Sequence, residues 1–249
     1  MFHLTLQNST KVQIKILFTL TNNKDYLNNR KIDVLKTLSV LTPTKLYQKL
    51  MAFRTRASKS IHWQDFLQSG NRIFIGSHAA VPNALINDLI ANGKNLHDIE
   101  TVHIMTLSDN VWALAQHKEQ FKINALFIGG KNIREAIAEG RADYTPCFIS
   151  EIPKLFSQNI LPLDAALIMV SPPDEYGYCS LGVSVDVISS AIKSAKYVIA
   201  QINQKMPRTN GHSFIHLDQI DAYIALKFEE IHKFEHAPHP VEFEMYYSS

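Results

Sequence analysis

The stretch Asp164–Val170, with the sequence DAALIMV, decides the fold, because every residue after the aspartate is apolar. Such a run is typical of a strand that is buried on both faces of a parallel sheet. Tyr197–Ile202 has a similar character, and Arg72–Ile75 is a shorter apolar run that ends at Gly76. We interpret these three runs as strands of a largely parallel sheet.

Helical segments alternate with these strands. In residues 83–92 apolar side chains recur at helical spacing, with Pro82 near the first turn and Gly93 just past the last. Ile133–Ala138 and Val183–Ala195 also predict helices. The alternation predicts an α/β fold with an open, mainly parallel sheet flanked by helices.

Shorter apolar runs predict the remaining elements of this domain. Strands are predicted at Thr101–Leu107, Ala125–Ile128 and Tyr144–Ile149. Ser150 is a candidate cap for a helix that runs to Phe156, because its hydroxyl can accept a hydrogen bond from the first turn.

Composition changes at both ends of the chain and suggests three parts. Residues 1–58 contain no glycine and are rich in Asn, Lys, Thr and Leu. We interpret them as an atypical N-terminal extension, with a strand at 12–21 and a helix at 33–50. Residues 59–226 form the main domain, and residues 227–249 are predicted to be a loosely attached tail.

Overall composition argues against several classes of partner. The 249 residues are 46% hydrophobic and 19% charged with a net charge of +2, and Lys and Arg are scattered, which argues against nucleic acid. No apolar run reaches the ~18 residues of a membrane span, and the N-terminus has no secretory pattern. We therefore expect a cytoplasmic protein with no membrane partner. Cys147 and Cys179 match no metal spacing, so we expect reduced thiols and no metal site.

Two loops after predicted strands are candidates for chemistry, because ligands of open α/β sheets bind beyond the carboxyl ends of the strands. Gly76–Pro82 is made of small residues and leads into a helix, so its backbone could approach an anion or an acyl oxygen. Ser171–Gly182 is stiffened by two prolines and offers a phenol, a thiol and a hydroxyl. The alternatives are a tight strand-to-helix turn for the first loop and a structural Ω-like loop for the second.

Two further loops carry cationic side chains. In Asn203–Gly211, Lys205 and Arg208 could meet a phosphate or a carboxylate. Gly129–Arg134 leads into a short helix and could also face a ligand. Solvated surface charge is the alternative for both loops, and it is the one that we favour for each of them.

Ordered motifs in these loops resemble the acetyl-CoA hydrolase/transferase family, whose members include 4-hydroxybutyrate and succinyl-CoA:acetate CoA-transferases. The resemblance covers about residues 58–225 and is densest at Val170–Asp174 and Gly177–Ser184. The other matching motifs are Gly76-Ser77-x-Ala79-Ala80-x-Pro82, Asn132-x-Arg134-x-Ala136, Gly140–Pro146, Ser150–Pro153, Met206–Thr209 and Gly211–His216. One such motif is weak evidence, whereas this many in order are specific.

This resemblance implies an enzyme of two α/β domains with a NagB/RpiA/CoA-transferase-like fold and an active site between them. A glutamate attacks the acyl-CoA thioester, and a glutamyl-CoA thioester then passes CoA to a carboxylate. That glutamate and most CoA-binding loops belong to the C-terminal half, so no catalytic residue is expected in this chain. CoA thioester is a substrate, and no bound cofactor is expected.

The resemblance also implies that this half forms one wall of the cleft. Ser77 matches a position whose small polar side chain faces the glutamate. The residues expected to line the cleft are Gly76, Ser77, Ala79, Tyr178, Cys179, Ser180, Gly182, Asn203, Met206 and Pro207. Three features depart from the family pattern: the first 58 residues do not resemble its usual start, a C-terminal catalytic domain is absent, and His78 replaces a smaller residue.

The expected partners are an acyl-CoA, a small carboxylate, a separate chain that carries the C-terminal domain, and further copies of this chain. On that view the isolated chain is inactive. Two alternatives stay open at this point: a truncated, non-catalytic protein of the same fold, and half of an acyl-CoA hydrolase.

Overall fold

The computed structural model describes residues 57–58, 60–226 and 231. All of them belong to one compact unit, Leu50–Ser249. The predicted strand at 12–21, the predicted helix at 33–50 and nearly all of the predicted tail lie outside the described residues. The limits that we expected for the three parts of the chain stay a prediction.

Ten strands and four α-helices occur in the described residues. The strands are β1 (Ala57–Ser58), β2 (Arg72–Ile75), β3 (Ile99–His103), β4 (Phe121–Ala125), β5 (Ala142–Tyr144), β6 (Leu163–Val170), β7 (Tyr178–Ser180), β8 (Ala195–Asn203), β9 (Phe214–His216) and β10 (Ala222–Leu226). The helices are α1 (Asn83–Asn92), α2 (Lys131–Ala138), α3 (Ile152–Ser157) and α4 (Ile188–Ser194). Single 3₁₀ turns lie at Trp63–Asp65, Val111–Ala113, Ala115–His117 and Leu217–Gln219.

Eight strands form one sheet in the order β1-β10-β8-β6-β2-β3-β4-β5, and all neighbours in it are parallel. The remaining two, β7 and β9, form an antiparallel ribbon. From β2 the chain steps outward to β5 and then returns to the other side of β2 with β6. Strand order therefore reverses between β2 and β6, and the carboxyl ends of these two strands flank the place where open α/β sheets bind ligands.

The core lies on both faces of this sheet, because the two central strands are buried on both sides. In β6, alternate residues enter opposite clusters, with Leu167 on the face of α1 and α2 and Ile168 on the face of α3 and α4. In β2, Ile73 and Phe74 divide in the same way. The prediction of an open, mainly parallel sheet flanked by helices is confirmed.

Three predicted strands are displaced in the structure. The strand expected at Thr101–Leu107 is β3, which ends at His103, and the one expected at Ala125–Ile128 is β4, which ends where the prediction begins. β4 alternates buried and more exposed residues, so its pattern has no continuous apolar run. The strand expected at Tyr144–Ile149 is β5, which is short, lies at the edge of the sheet and ends at Tyr144.

Two predicted helices begin later than expected. The residue before α3 is Glu151, and no side chain caps this helix, so the prediction of a Ser150 cap is wrong. α4 begins at Ile188 instead of Val183. The intervening residues form a loop, in which the Asp186 carboxylate accepts hydrogen bonds from the amide of Val187 and from that of Ile188, the first residue of the helix.

Candidate functional site

The loop after β2 has a glycine at its start for a steric reason. A Cβ atom at Gly76 would lie 3.0 Å from the carbonyl oxygen of Ala80 and 3.3 Å from that of Leu167. The Gly76 amide donates to the same Leu167 carbonyl at 2.9 Å. This close approach supports the tight-turn interpretation for Gly76 and holds the loop against the end of β6.

Ser77 belongs to a buried polar cluster that joins the loop after β2 to the loop before α4. Its Oγ donates a hydrogen bond to Asp186 Oδ2 and lies 2.8 Å from the Oγ of Ser184. The Ser184 hydroxyl also donates to Asp186 Oδ2, at 2.7 Å. Ser77 has no exposed surface in this chain, and Ser184 is 4% exposed. The two hydroxyls therefore form hydrogen bonds with each other and with the Asp186 carboxylate.

His78 covers this cluster on the solvent side. Its backbone has a φ of +50°, a conformation that residues other than glycine rarely adopt. The strand-like contact with the chain after β3 holds that conformation: the His78 amide donates to Met105 at 2.6 Å, and its carbonyl accepts from Leu107 at 3.0 Å. The imidazole Nδ1 lies 3.1 Å from Asp186 Oδ2, with side-chain exposures of 42% for the histidine and 17% for the aspartate.

Arg208 fixes the loop after β6. Its guanidinium donates to the carbonyls of Pro172 and Tyr178, each at 3.1 Å, and to Asp174 Oδ2 at 2.9 Å. It also lies 5.3 Å from the centre of the Phe214 ring. The sequence left open an anion-binding role for Arg208. In the structure its guanidinium N–H groups instead donate hydrogen bonds to protein atoms of the neighbouring loop.

The phenol, thiol and hydroxyl of β7 have different surroundings. Tyr178 is exposed and packs edge-on against His216, with 4.9 Å between ring centroids. Cys179 is fully buried in the core, and burial raises the pKa of its thiol to about 12. The Ser180 Oγ is also buried and accepts from the amides of Gly182 and Thr209, at 3.1 Å each.

The loop after β8 packs directly on the loop after β6. Gly182 has a φ of +65°, and a Cβ atom there would overlap the Sδ of Met206. Met206 is buried, while Pro207 is exposed. Asn203 is buried at the end of β8, and its Oδ1 accepts from the Lys205 amide at 2.9 Å.

The loops after β2, β6 and β8 thus meet at one edge of the sheet, as the sequence predicts for adjacent parallel strands. In the chain as described, Tyr178 and Pro207 are exposed, Ala79 is partly exposed, and the other seven predicted cleft residues are buried. Their role as cleft lining stays a prediction. The loop at Gly129–Arg134 begins α2, where Lys131 pairs with Glu135 at 3.6 Å on the solvent side.

Sequence reasoning missed Asp186, which accepts hydrogen bonds from every polar side chain of the cluster. It lies 109 residues after Ser77, so no local spacing connects the two. The available signal was Ser184-x-Asp186 just before a helical stretch, which is a typical helix-start pattern. Residues 57–58, 60–226 and 231 contain no helix long and apolar enough to span a membrane, and no group of three metal-ligating side chains.

Comparison with known proteins gives several similar sequences. The chain is 45% identical over 155 residues to 4-hydroxybutyrate coenzyme A transferase from Clostridium kluyveri. The aligned residues make up 62% of this chain and 36% of that protein. Over 157 residues, it is 46% identical to the succinyl-CoA:acetate/propanoyl-CoA:succinate CoA transferase from Fasciola hepatica, covering 62% and 32% of the two chains. A 31-residue stretch is 61% identical to 7% of glutamine synthetase from Cereibacter sphaeroides, which is too short to bear on the fold.

Among solved structures, the fold matches 4-hydroxybutyrate CoA-transferase from Porphyromonas gingivalis with a TM-score of 0.61 and 27% identity. That match covers 76% of this chain and 43% of the other. The chain therefore spans less than half the length of these relatives.

The sequence model of the acetyl-CoA hydrolase/transferase N-terminal domain matches residues 12–234. This match takes in most of the segment that we expected to be atypical, and it includes all of the motifs in the loops after β2, β6 and β8. The chain belongs to the acetyl-CoA hydrolase/transferase family, through the N-terminal domain of that family.

Proposed function

We propose that this chain is the N-terminal domain of a CoA-transferase that moves CoA between an acyl-CoA and a carboxylate. The observation that carries the proposal is the family match over residues 12–234, together with relatives that are named as CoA-transferases and are more than twice as long as the matched part. On this proposal a second domain completes the site and supplies the nucleophilic glutamate.

Exposed apolar side chains beside the candidate site support a second domain at that edge. Val183 is 42% exposed and Val185 is 38% exposed, and they flank Ser184 in the loop before α4. Tyr178 and Phe214, on the two strands of the neighbouring ribbon, are also exposed. Several exposed apolar side chains in neighbouring elements are typical of a site of interaction.

The proposed chemistry is a carboxylate exchange. A glutamate oxygen bonds to the thioester carbonyl carbon, and the C–S bond breaks to release CoA thiolate. The thiolate then attacks the glutamyl carbonyl, which gives glutamyl-CoA and frees the first acyl group as a carboxylate. The acceptor carboxylate reverses these steps. Donors must stabilise the developing oxyanions, and no net proton is taken up or released.

Complementation tests the proposal. The chain is mixed with the C-terminal part of the Clostridium kluyveri relative, and acetyl-CoA and 4-hydroxybutyrate are supplied. We expect 4-hydroxybutyryl-CoA from the mixture and none from either part alone. Transfer by the isolated chain, or none from a mixture in which the two parts bind, would contradict the proposal.

A pair of matched variants tests whether the second domain binds at the edge of the sheet that carries the candidate site. Val183→Lys places a charge beside the candidate site, and we expect it to lower transfer at limiting partner concentration. Ile160→Lys places the same charge on an exposed residue just before β6, at the amino edge of the sheet, and should leave transfer unchanged. Equal effects of the two variants would contradict the proposal that the second domain binds at this edge.

A further inference from the structure

An imidazole oriented by a carboxylate lies beside the place where the strand order reverses between β2 and β6, and the chemistry proposed above does not use it. His78 Nδ1 is 3.1 Å from Asp186 Oδ2, and the side chain of His78 is 42% exposed. Among the described residues the other ring nitrogen, Nε2, has no hydrogen-bond partner. When Nδ1 carries the proton that it shares with the carboxylate, Nε2 is an available proton acceptor at the surface of the site.

Both members of this pair are held in place. The backbone of His78 has the unfavourable φ of +50° and is fixed by its hydrogen bonds to Met105 and Leu107. A residue keeps such a conformation only where hydrogen bonds and packing around it hold the backbone in place, and residues of this kind are concentrated at functional sites. Asp186 receives hydrogen bonds from Ser77 and from Ser184, so its carboxylate is fixed as well.

The exchange of CoA between carboxylates has no use for a proton acceptor, because the nucleophile is already an anion. Water is different: to attack a thioester it must lose a proton as the new C–O bond forms. A positioned base therefore has a role at this edge only when water takes the place of the acceptor carboxylate.

We infer that His78 is a general base for hydrolysis of an acyl thioester or activated ester at this edge, with Asp186 as its positioning residue. The identity of the ester as acyl-CoA rests on the proposed function. His78 Nε2 takes a proton from water while the water oxygen bonds to the carbonyl carbon. The C–S or C–O bond breaks, the leaving thiolate or oxyanion takes a proton from the imidazolium, and a carboxylic acid is released.

A CoA-free ester tests the base independently of any CoA site. The full chain is assayed with p-nitrophenyl acetate, and His78→Asn is the test variant because asparagine tolerates a left-handed backbone well. General bases contribute about 10²-fold or more, and we expect the variant to lose at least about tenfold in rate. A normal solvent deuterium isotope effect in the unmodified chain separates water activation from direct attack by the ring.

His62 supplies a matched control. Its Nδ1 lies 3.1 Å from Asp65 Oδ1, the same separation as in the His78 pair, but the two side chains are 77% and 64% exposed. His62→Asn should leave the rate unchanged. An equal loss in both variants, or no loss in His78→Asn, would overturn the inference.

Two more measurements separate catalysis from folding. After the rate with imidazole alone is subtracted, added imidazole should still restore the rate of His78→Ala, whereas a structural defect would not be rescued. Asp186→Asn should lower kcat with KM unchanged, and Asp186→Glu should recover part of the loss. In the complemented mixture, His78→Asn should lower acetyl-CoA hydrolysis. Ester hydrolysis by the chain, together with no CoA transfer by a mixture in which the two parts bind, would refute the proposed function and leave the base assignment intact.

Discussion

His103 gives a prediction that depends on burial alone. It is the last residue of β3, it is fully buried, and neither ring nitrogen has a hydrogen-bond partner in the described part of the protein. Its ring packs edge-on against Trp112, with 6.0 Å between centroids. Burial away from water disfavours the charged imidazolium and lowers the pKa of His103 from 6.5 to about 4.

The shift fixes the sign and the size of a pH effect. Because the folded pKa lies below the unfolded one, the unfolded chain binds a proton first as the pH falls. This contribution to stability is fully present above pH 6.5 and is lost as the pH falls towards 4. At about 1.4 kcal/mol per pH unit, the loss amounts to roughly 3 kcal/mol.

Urea unfolding of the natural chain and of His103→Leu between pH 7.5 and pH 4.5 measures this effect. Leucine cannot titrate, and the other groups contribute equally to both proteins, so the difference in unfolding free energy isolates His103. We expect the difference to shift in favour of the variant by about 1.4 kcal/mol per unit as the pH falls below 6.5. A difference that does not change with pH would refute a buried, neutral His103.

Two further predictions concern the loops and the thiols. Gly182→Ala should destabilise the fold by about 1–3 kcal/mol in urea unfolding, because the new Cβ overlaps Met206. Gly140→Ala is the matched control, because Gly140 has a similar φ of +70° but open space around it, and this variant should cost less. Equal costs would contradict the packing of the two loops. Native chain should react with Ellman's reagent only at the partly exposed Cys147, and at the buried Cys179 only after unfolding; a fast second thiol would contradict burial of Cys179.

The central fold could be predicted from the sequence because burial on both faces leaves a strong local signal. Within the predicted strand Asp164–Val170, every residue after the aspartate is apolar, and the observed strand begins one residue earlier, at Leu163. The edge strands gave weaker signals. Phe148 and Ile149 look like part of a strand, yet they are 76% and 52% exposed in the loop after β5, so apolar character alone did not indicate burial.

The candidate site was predictable only in part. Its position after β2, β6 and β8 follows from the alternation of strands and helices, because parallel strands bring their carboxyl ends to one edge. The hydrogen bonds of Asp186 could not be predicted, since they join loops that are 108 and 109 residues apart. The burial of Cys179 and Ser180 could not be predicted from the sequence either, because it depends on the pairing of β7 with β9.

The location of the nucleophile tests the central claim most directly. The complemented mixture is supplied with acetyl-CoA and then treated with hydroxylamine, which converts a glutamyl thioester or anhydride into a stable hydroxamate. Peptide mass spectrometry then locates the label. We predict a labelled glutamate in the C-terminal part and none in this chain. A labelled glutamate in this chain would contradict its assignment as the domain without the nucleophile.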